Sequence, residues 1–495
     1  MAVSALLHNP DTLPLTDLPL LDLSAFRGAL VSAVAGGGRV VSMFGYPGPL
    51  KRSRLVAILA HDRAGSLEVI STEVGAEYPA LTPDCPQVHL FERELAEENV
   101  ATPAGHPWLK PVRFPRVAGA APVGCAEFYR VEGSEIHEVA VGPVHAGIIE
   151  TGHFRFQCHG ETVLHLEISL GYQHRGVERA LVGGPDRRTL RYMETLAGDT
   201  TIGHAVAYSQ LVEHLGGRRV PMRGEALRAV SLELERLANH TGDLGALAND
   251  IGFLPTSSYC GRIRGDFLNM TALLCGSRFG RGMVRPGGVD FDLDAARREE
   301  LERRLAAAER DVTGAVEMLW DTPSVRARFE EAGVLNAAQC RELGIVGVAA
   351  RAAGVEQDVR VDLPHGYYRF FQVPVSTLRS GDVFARACVR WLEIQRSVEF
   401  IRNALKTLPD TPVAASDSEP NLAPDSLAVS LVEGWRGEIC HVAITDAAGR
   451  FLRYKVVDPS FHNWPGLALA MRGQQISDFP LCNKSFNLSY CGFDL

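Results

Sequence analysis

Closely spaced cysteines are absent from this sequence. None of the ten cysteines belongs to a C-x-x-C pair, and they are scattered as Cys85, Cys125, Cys158, Cys260, Cys275, Cys340, Cys388, Cys440, Cys482 and Cys491. A zinc site, an iron–sulfur cluster or a disulfide framework needs several thiols at short spacing. We therefore expect the cysteines to be small buried side chains, and we expect no cluster held by this chain.

Long apolar runs and basic stripes are also missing. No stretch reaches the roughly 18 to 20 apolar residues of a membrane-spanning helix. The N-terminus has no basic start followed by an unbroken apolar segment, as a secretion signal would have. The net charge of -9 has no compensating basic patch, which argues against nucleic-acid binding. We expect a cytoplasmic protein that reaches a membrane only through its partners.

The composition that is present is globular. With 495 residues, 46% of them hydrophobic, the chain can form two or more domains with sizeable cores. The first ~120 residues alternate short strand-like runs with turns and contain an acidic helix. The pattern predicts strands at 39–44 and 54–59, a helix at 88–100 and a connection at 103–124.

The rest of the chain has a different pattern. Extended segments with many glycines come first, helices with apolar residues at three- and four-residue spacing follow, and the end returns to strand-like sequence. We predict strands within 138–170, helices at 225–250, 293–320 and 382–408, a proline-rich loop at 408–427, and short strands and turns in the last ~65 residues. The fold class is therefore α+β, with a small N-terminal α+β domain and a mainly helical bundle that carries β-structure near both of its ends.

Four segments have more glycine, histidine and charge than structural sequence usually carries. They span residues 142–155, 171–178, 194–204 and 478–495. Glycines at this density allow tight turns and close backbone approach. None of them contains H-E-x-x-H, G-x-S-x-G or a phosphate-binding glycine loop. The residues alone predict a polar site, and each histidine in it is also compatible with a purely structural hydrogen bond.

The same segments carry a resemblance. GPVHAGIIETGHFRF, LGYQHRGVE, LELERLANHTGDLGALANDIGF and FGRGMVRPGGV resemble the large subunit of group 4 (formate hydrogenlyase type) nickel-iron hydrogenases and its homologue, the 49 kDa subunit of complex I. FERELAEENVATPAGHP resembles the thirty-kilodalton peripheral subunit of complex I. The resemblance implies a domain like this thirty-kilodalton subunit at residues 1–125 and a hydrogenase large-subunit-like domain at residues 135–495.

The sequence departs from the hydrogenase pattern at the metal ligands. The family's two cysteine pairs align with Ala197 and Thr200 near one helix start, and with Ser489 and Gly492 near the C-terminus. Alanine and glycine have no ligand atom, and neutral hydroxyls are poor ligands for soft metals. Cys491 lies between the last two positions, out of register. We expect no nickel-iron centre and no other metal bound at these positions.

The quinone pattern of complex I is kept in part. His145 matches a histidine of the G-P-x-H-P hairpin, although Ala146 replaces the following proline. The family tyrosine aligns with Gly198, and Tyr490, Tyr192 or Asp199 could take its place. The resemblance thus implies one half of a proton-donating pair.

Arg436 matches an arginine that faces the active cavity in both related families. Its alternative is a structural pair with a buried carboxylate such as Glu433 or Asp446. The predicted catalytic residues are His145, Asp199, His204 and Arg436, and the predicted cofactor-binding residues are His145, Glu150 and Tyr490.

Two further groups have mixed interpretations. One group either conducts protons or conformational change, or forms a structural ion-pair network; it comprises Glu150, His153, His174, Arg175 and Glu178. The other either contacts an iron–sulfur partner or bridges helices; it comprises Arg278, Arg281 and Arg285.

The resemblance implies a function. The chain would be the peripheral-arm large subunit of a membrane-associated respiratory or energy-converting complex on the inner face of the cell membrane. It would pass electrons from a partner's iron–sulfur cluster to a quinone or another small acceptor. Its partners would be a small iron–sulfur subunit like the twenty-kilodalton subunit of complex I, a ferredoxin-like subunit and antiporter-type membrane subunits. The alternatives are a structural subunit whose redox site has decayed, and a nickel-iron hydrogenase with unusual ligands.

Overall fold

The computed structural model describes residues 4–48, 52–115, 122–145, 149–415 and 421–495. Ala146, part of the predicted connection at 103–124 and part of the predicted loop at 408–427 lie outside these ranges. Within them, no helix combines the length and the apolarity needed to cross a membrane.

The N-terminal part is a sheet covered by helices. Its strands and helices are β1 (Ala5–Leu7), β2 (Asp11–Pro14), β3 (Leu20–Leu21), α1 (Leu23–Ala35), β4 (Arg39–Pro47), β5 (Ser53–His61), β6 (Ser66–Val74), β7 (Glu77–Pro79), α2 (His89–Glu97) and β8 (Thr102–Ala104). The sheet has the order β1-β6-β5-β4, with β3 added in parallel to β6. The two predicted strands and the acidic helix of this part are confirmed.

A three-stranded antiparallel sheet follows. It contains β9 (Ile136–Val141), β10 (His153–His159) and β11 (Thr162–Ser169) in the order β11-β10-β9. The extended segments predicted within 138–170 are therefore confirmed. The turn between β9 and β10 carries His145.

Helices make up the middle of the chain. They are α3 (Val177–Ala180), α4 (Thr189–Met193), α5 (Thr201–Leu215), α6 (Met222–Asp250), α7 (Leu254–Cys275), α8 (Ala295–Trp320), α9 (Pro323–Phe329), α10 (Ala337–Leu343), α11 (Gly347–Ala352), α12 (Val359–Asp362) and α13 (Val383–Lys406), with a small ladder of β12 (Val284–Arg285) and β13 (Gly288–Val289). The three predicted helices correspond to α6, α8 and α13. The side chains of Asp294 and Asp382 cap α8 and α13, which explains where these two begin.

A second sheet closes the fold. It joins β14 (Ser426–Glu433), β15 (Glu438–Thr445) and β16 (Phe451–Val457) in the order β16-β15-β14-β2. Asp11 of β2 pairs with Val429 of β14, so the N-terminal segment supplies an edge strand to the C-terminal sheet.

The end of the chain differs from its prediction. After β16 the chain is mainly helical, with α14 (Pro459–Ala470), α15 (Phe479–Phe486) and α16 (Tyr490–Phe493). The Asp458 carboxylate accepts the Ser460 N–H and Pro459 occupies the first turn, a strong helix start. The sequence of this segment is rich in aromatic residues and proline, so its local helix propensity did not predict these helices. Packing against the rest of the fold stabilises them instead.

Among the described residues, two large hydrophobic cores and two smaller ones hold these layers. One large core combines the N-terminal sheet, β9 to β11, the C-terminal sheet and α14 to α16, and the other large core is formed mainly by α6, α7, α8 and α13. The two ends of the chain therefore share one core. An α+β fold is confirmed.

Candidate functional site

Arg436 connects two segments that are far apart in the sequence. Its guanidinium donates to both carboxylate oxygens of Asp199, at 2.6 and 2.8 Å, and its Nε donates to the Asn487 carbonyl at 2.5 Å. The guanidinium also lies 3.9 Å from the centroid of the Trp435 ring. The segment before α5 and the C-terminal turn are thus held together by one cation.

The turn that presents Arg436 is itself anchored from the core. Arg236 of α6 donates to the main-chain carbonyls of Glu433 and Gly434, at 2.7 and 3.0 Å. The indole N–H of Trp435 donates to the Asp199 carbonyl at 3.0 Å. Since a buried guanidinium needs fixed acceptors, this anchoring determines where Arg436 points.

The pair is ionised. Burial raises the pKa of Asp199, but the Arg436 guanidinium outweighs burial and holds the pKa below its usual value. Neither Glu433 nor Asp446, the structural partners suggested by the sequence, binds Arg436. Glu433 instead accepts from Arg351 at 2.8 Å, and Asp446 accepts main-chain N–H groups of its own turn.

His204 lies beneath this pair in a buried chain of hydrogen bonds. Its Nε2 is 3.2 Å from Asp458 Oδ2, and its Nδ1 is 3.0 Å from Nε2 of His441. His441 Nδ1 is 2.8 Å from the Tyr454 hydroxyl. Burial, with His204 nearby, holds the pKa of His441 well below its usual value, so this imidazole is neutral. The chain of hydrogen bonds leads from β16 to a carboxylate under the C-terminal turn.

The β9–β10 turn and the C-terminal turn meet on the other side. The carboxylate of Glu150 accepts the main-chain N–H groups of Tyr490 and Cys491, at 3.1 and 3.4 Å. The rings of His145 and Tyr490 lie 6.4 Å apart between centroids, and His145 Nε2 donates to the Gly152 carbonyl at 2.9 Å. Burial raises the pKa of Tyr490 to about 12, so its hydroxyl keeps its proton at neutral pH.

The residues at the four expected metal-ligand positions either make other contacts or have no ligand atom. Thr200 donates to Asp199 Oδ1 and accepts from the Trp435 indole, both at 3.2 Å. The Ser489 hydroxyl accepts the Gly492 N–H at 2.9 Å and caps α16. A Cβ atom added to Gly492 would lie 2.7 Å from Cγ of Asp458. Ala197 is buried without a ligand atom.

The single thiol of the C-terminal segment does not replace the missing ligands. Burial, followed by the charge of Glu150, raises the pKa of Cys491 to about 11. The four positions that the resemblance assigned to thiolates hold Ala197, Thr200, Ser489 and Gly492, and one thiol out of register cannot replace four. These residues therefore do not fit a nickel-iron centre.

The remaining predicted residues are engaged locally. Glu178 is buried against Lys455, Arg453 and Arg113. Burial raises its pKa, but these cations outweigh burial and lower it to about 2. The imidazole of His174 donates to the Asp494 carbonyl at 2.9 Å.

Two other predicted arginines lie in different surroundings. Arg175 donates to the carbonyls of Leu196 and Cys491, at 2.8 and 3.1 Å, and so ties the α5 start to α16. Arg278 lies over the Phe279 ring, with the guanidinium 5.6 Å from its centroid.

Sequence reasoning missed Asp458, His441 and Glu235. Glu235 accepts the N–H groups of Ile202 and Gly203, at 2.7 and 3.2 Å, at the start of α5. Burial raises its pKa to about 8, and Asp199 contributes to that rise. The Asp458-Pro459 helix start was a usable signal, but His441 and Glu235 lie in ordinary strand and helix patterns.

Comparisons with known proteins agree with this architecture. Residues 250–427 match the family model described as respiratory-chain NADH dehydrogenase, 49 Kd subunit. The chain is 31% identical to a carbon monoxide-induced hydrogenase of Rhodospirillum rubrum over 352 residues, which are 71% of this chain and 97% of that protein. It is 29% identical to hydrogenase-4 component G of Escherichia coli, covering 84% of this chain and 75% of that protein.

A relative from the respiratory branch has a similar level of identity. NADH-quinone oxidoreductase subunit 4 of Thermus thermophilus is 29% identical over 372 residues, covering 70% of this chain and 90% of that protein. These matches confirm the resemblance that the sequence motifs indicated. The chain belongs to the family of oxidoreductase subunits that includes carbon monoxide-induced hydrogenase and the 49 Kd subunit of respiratory-chain NADH dehydrogenase.

Proposed function

We propose that this chain transfers electrons from an iron–sulfur cluster of a partner subunit to a quinone or another small acceptor. The acceptor binds where the β9–β10 turn, the start of α5 and the C-terminal turn converge. The observation that carries the proposal is this convergence of His145, Glu150, Asp199, Arg436 and Tyr490 at the place where hydrogenase relatives are expected to hold metal.

The chemistry asks for protons as well as electrons. Reduction of a quinone to a quinol takes two electrons from the partner's cluster and two protons. The hydroxyl of Tyr490 is protonated at neutral pH, and the Tyr490 and His145 rings lie 6.4 Å apart between centroids. Tyrosine and histidine are both residue types that act as proton donors in catalysis. In this proposal these two side chains hold the protons, and Arg436 joins Asp199, before α5, to the C-terminal turn at Asn487.

The assembly follows the same proposal. Residues 1–125 form a domain like the thirty-kilodalton subunit of complex I, and residues 135–495 form the large-subunit-like domain. The complex lies on the inner face of the cell membrane through a small iron–sulfur subunit like the twenty-kilodalton subunit of complex I, a ferredoxin-like subunit and antiporter-type membrane subunits. Since β2 pairs with β14, the two domains fold as joined layers rather than as separate modules.

The test uses the intact purified complex. Binding and turnover of a short-chain quinone analogue are measured with the wild type and with His145→Ala. His159→Ala is the matched control, because His159 is an exposed histidine of β10 that contacts Glu135. We expect the His145 variant to lose turnover by about 10²-fold or more while the control keeps it. Equal turnover in both variants, or stoichiometric nickel bound to this chain, overturns the proposal.

A structural subunit with a decayed redox site is the second candidate. This candidate is favoured because polar groups of the site already bond to one another. Ser489 accepts the Gly492 N–H, Glu150 accepts the N–H groups of Tyr490 and Cys491, and Arg436 is paired with Asp199. If the wild-type complex neither binds nor reduces the quinone analogue, this candidate replaces the first. An active hydrogenase with unusual ligands would instead show hydrogen uptake with an artificial acceptor.

A further inference from the structure

A cavity lies between the N-terminal part and the layer of β11 and α14, and its lining residue Trp464 packs against Tyr490 of the candidate site, with ring centroids 4.9 Å apart. The cavity has a volume of about 200 Å³. Its walls are largely aromatic and aliphatic, with Trp108, Phe128, Trp464 and Phe493 among them, and the ion pair of Lys110 and Glu167 also lines it. Cavities of this kind bind the apolar body of a small molecule, and a few polar groups then determine which molecule.

Arg93 supplies a positive charge to this cavity. It is part of the lining, and its Nε and Nη2 donate to the main-chain carbonyls of Lys110 and Pro111, at 2.8 and 3.0 Å. Among the described residues, its hydrogen-bond partners include no carboxylate. Burial lowers the pKa of Arg93 to about 10, which still leaves it charged at neutral pH.

The carboxylates near Arg93 are already engaged elsewhere. Glu167 accepts from Lys110 Nζ and from the Tyr129 N–H, both at 2.7 Å. Glu97 accepts the N–H groups of Val112 and Arg113, at 2.7 and 2.8 Å. Both carboxylates therefore act on Arg93 through their charge alone. Its described hydrogen bonds use Nε and Nη2, so Nη1 can still donate to an anion that enters the cavity.

His89 adds a neutral polar group. Its side chain lines the same cavity one helical turn before Arg93, and its imidazole makes no hydrogen bond to any part of the chain that the structure describes. Burial lowers its pKa to about 3, so the imidazole is uncharged. An uncharged imidazole offers one N–H donor, which suits a second oxygen of an anion.

We propose that this cavity binds a small aromatic carboxylate. The ring lies between the side chains of Trp108, Phe128 and Trp464, and the carboxylate accepts from Arg93 and His89. A neutral molecule of the same shape cannot form an ion pair with Arg93. The cavity should therefore bind the carboxylate more tightly than its neutral analogue. Phe493 belongs both to this wall and to α16, three residues after Tyr490, so the bound ring contacts the helix that carries the candidate site.

The experiment compares two probes with one ring system. Binding of 2-naphthoate and of neutral 2-naphthalenemethanol to the purified complex is measured by calorimetric titration. We expect 2-naphthoate to bind about tenfold or more tightly than the alcohol, a difference of ~1.4 kcal/mol. Arg93→Gln removes this preference, while Arg63→Gln, a change at an exposed arginine outside the cavity, keeps it.

A second variant separates binding from folding. Ala468→Trp fills the cavity from α14 and leaves Arg93 in place. We expect it to weaken both probes by about tenfold or more, since it removes the space for the ring. Unchanged affinity in Ala468→Trp, or equal affinity of the wild type for the two probes, overturns the proposal. Because the candidate redox site keeps all of its residues in these variants, quinone turnover reports on it separately.

Discussion

The carboxylate of Asp199 and the guanidinium of Arg436 form a bidentate ion pair. Nη1 lies 2.6 Å from Oδ1, and Nη2 lies 2.8 Å from Oδ2. Asp199 precedes α5 and Arg436 sits in the turn between β14 and β15, 237 residues further along the chain. Two rigid layers are joined at this point. The pair joins Asp199, between the predicted metal-ligand positions Ala197 and Thr200, to the C-terminal turn at Asn487.

Removal of this cation should destabilise the fold. Arg436→Gln leaves the Asp199 carboxylate, whose side chain is 34% exposed, without its partner. We expect the free energy of unfolding to fall by about 1–2 kcal/mol, less than for a fully buried pair. The double variant with Asp199→Asn should be less destabilised than the sum of the single changes. Urea unfolding measures both. Arg326→Gln is the control, since its pair with Glu330 is exposed and should contribute less than about 1 kcal/mol. Strictly additive effects would show that the pair is not coupled.

Glu235 should make stability depend on pH. Its pKa is about 8 in the folded chain and 4.5 for a free glutamate, so the folded state holds an extra proton between these values. The contribution of Glu235 to the free energy of unfolding is fully present below pH ~4.5 and is lost as the pH rises through ~8. Compared with Glu235→Gln, the wild type should lose up to about 1.4 kcal/mol per pH unit in this window.

The measurement is a series of unfolding curves from pH 5 to 8. Glu302→Gln, on the exposed side of α8, controls for the loss of a surface carboxylate. If the wild type and Glu235→Gln stay parallel across the series, Glu235 is ionised throughout and the expectation is wrong.

Gly198 should accept the tyrosine that complex I relatives are expected to carry. A Cβ atom added there meets no atom within 4 Å, and its φ is not in the left-handed region. We expect Gly198→Tyr to raise quinone-analogue turnover by about tenfold or more, because a phenolic proton donor returns to the site. Gly198→Phe has the same ring without the hydroxyl and should not raise turnover. Equal rates in the two variants would exclude the hydroxyl as the cause.

A cysteine at position 492, one of the predicted metal-ligand positions, should destabilise the fold. Gly492→Cys brings Cβ to 2.7 Å from Asp458 Cγ, and crowding of this kind costs about 1–3 kcal/mol of unfolding free energy. Gly198→Cys, at an open position, is the matched control and should be close to neutral. Thermal unfolding of both variants tests this. A stable Gly492→Cys chain would show that the C-terminal turn can move away from Asp458.

The sequence by itself determined the periodic elements and the family. Apolar spacing located α6, α8 and α13, glycine-punctuated alternation located β9 to β11, and the missing cysteine pairs argued against a nickel-iron ligand set. These features are local, since they depend on residues a few positions apart. The C-terminal helices were missed because packing on a shared core, rather than local propensity, forms them.

Only the tertiary structure decided the partners of the charged residues. Arg436 could have paired with Glu433 or Asp446 nearby, yet it binds Asp199, and Glu433 is taken by Arg351. His204 of α5 joins His441 of β15 to Asp458 before α14, and β2 pairs with β14 over more than four hundred residues. A buried charge binds whichever partner the packed layers bring within reach, and that distance in space is not contained in any local pattern of the chain.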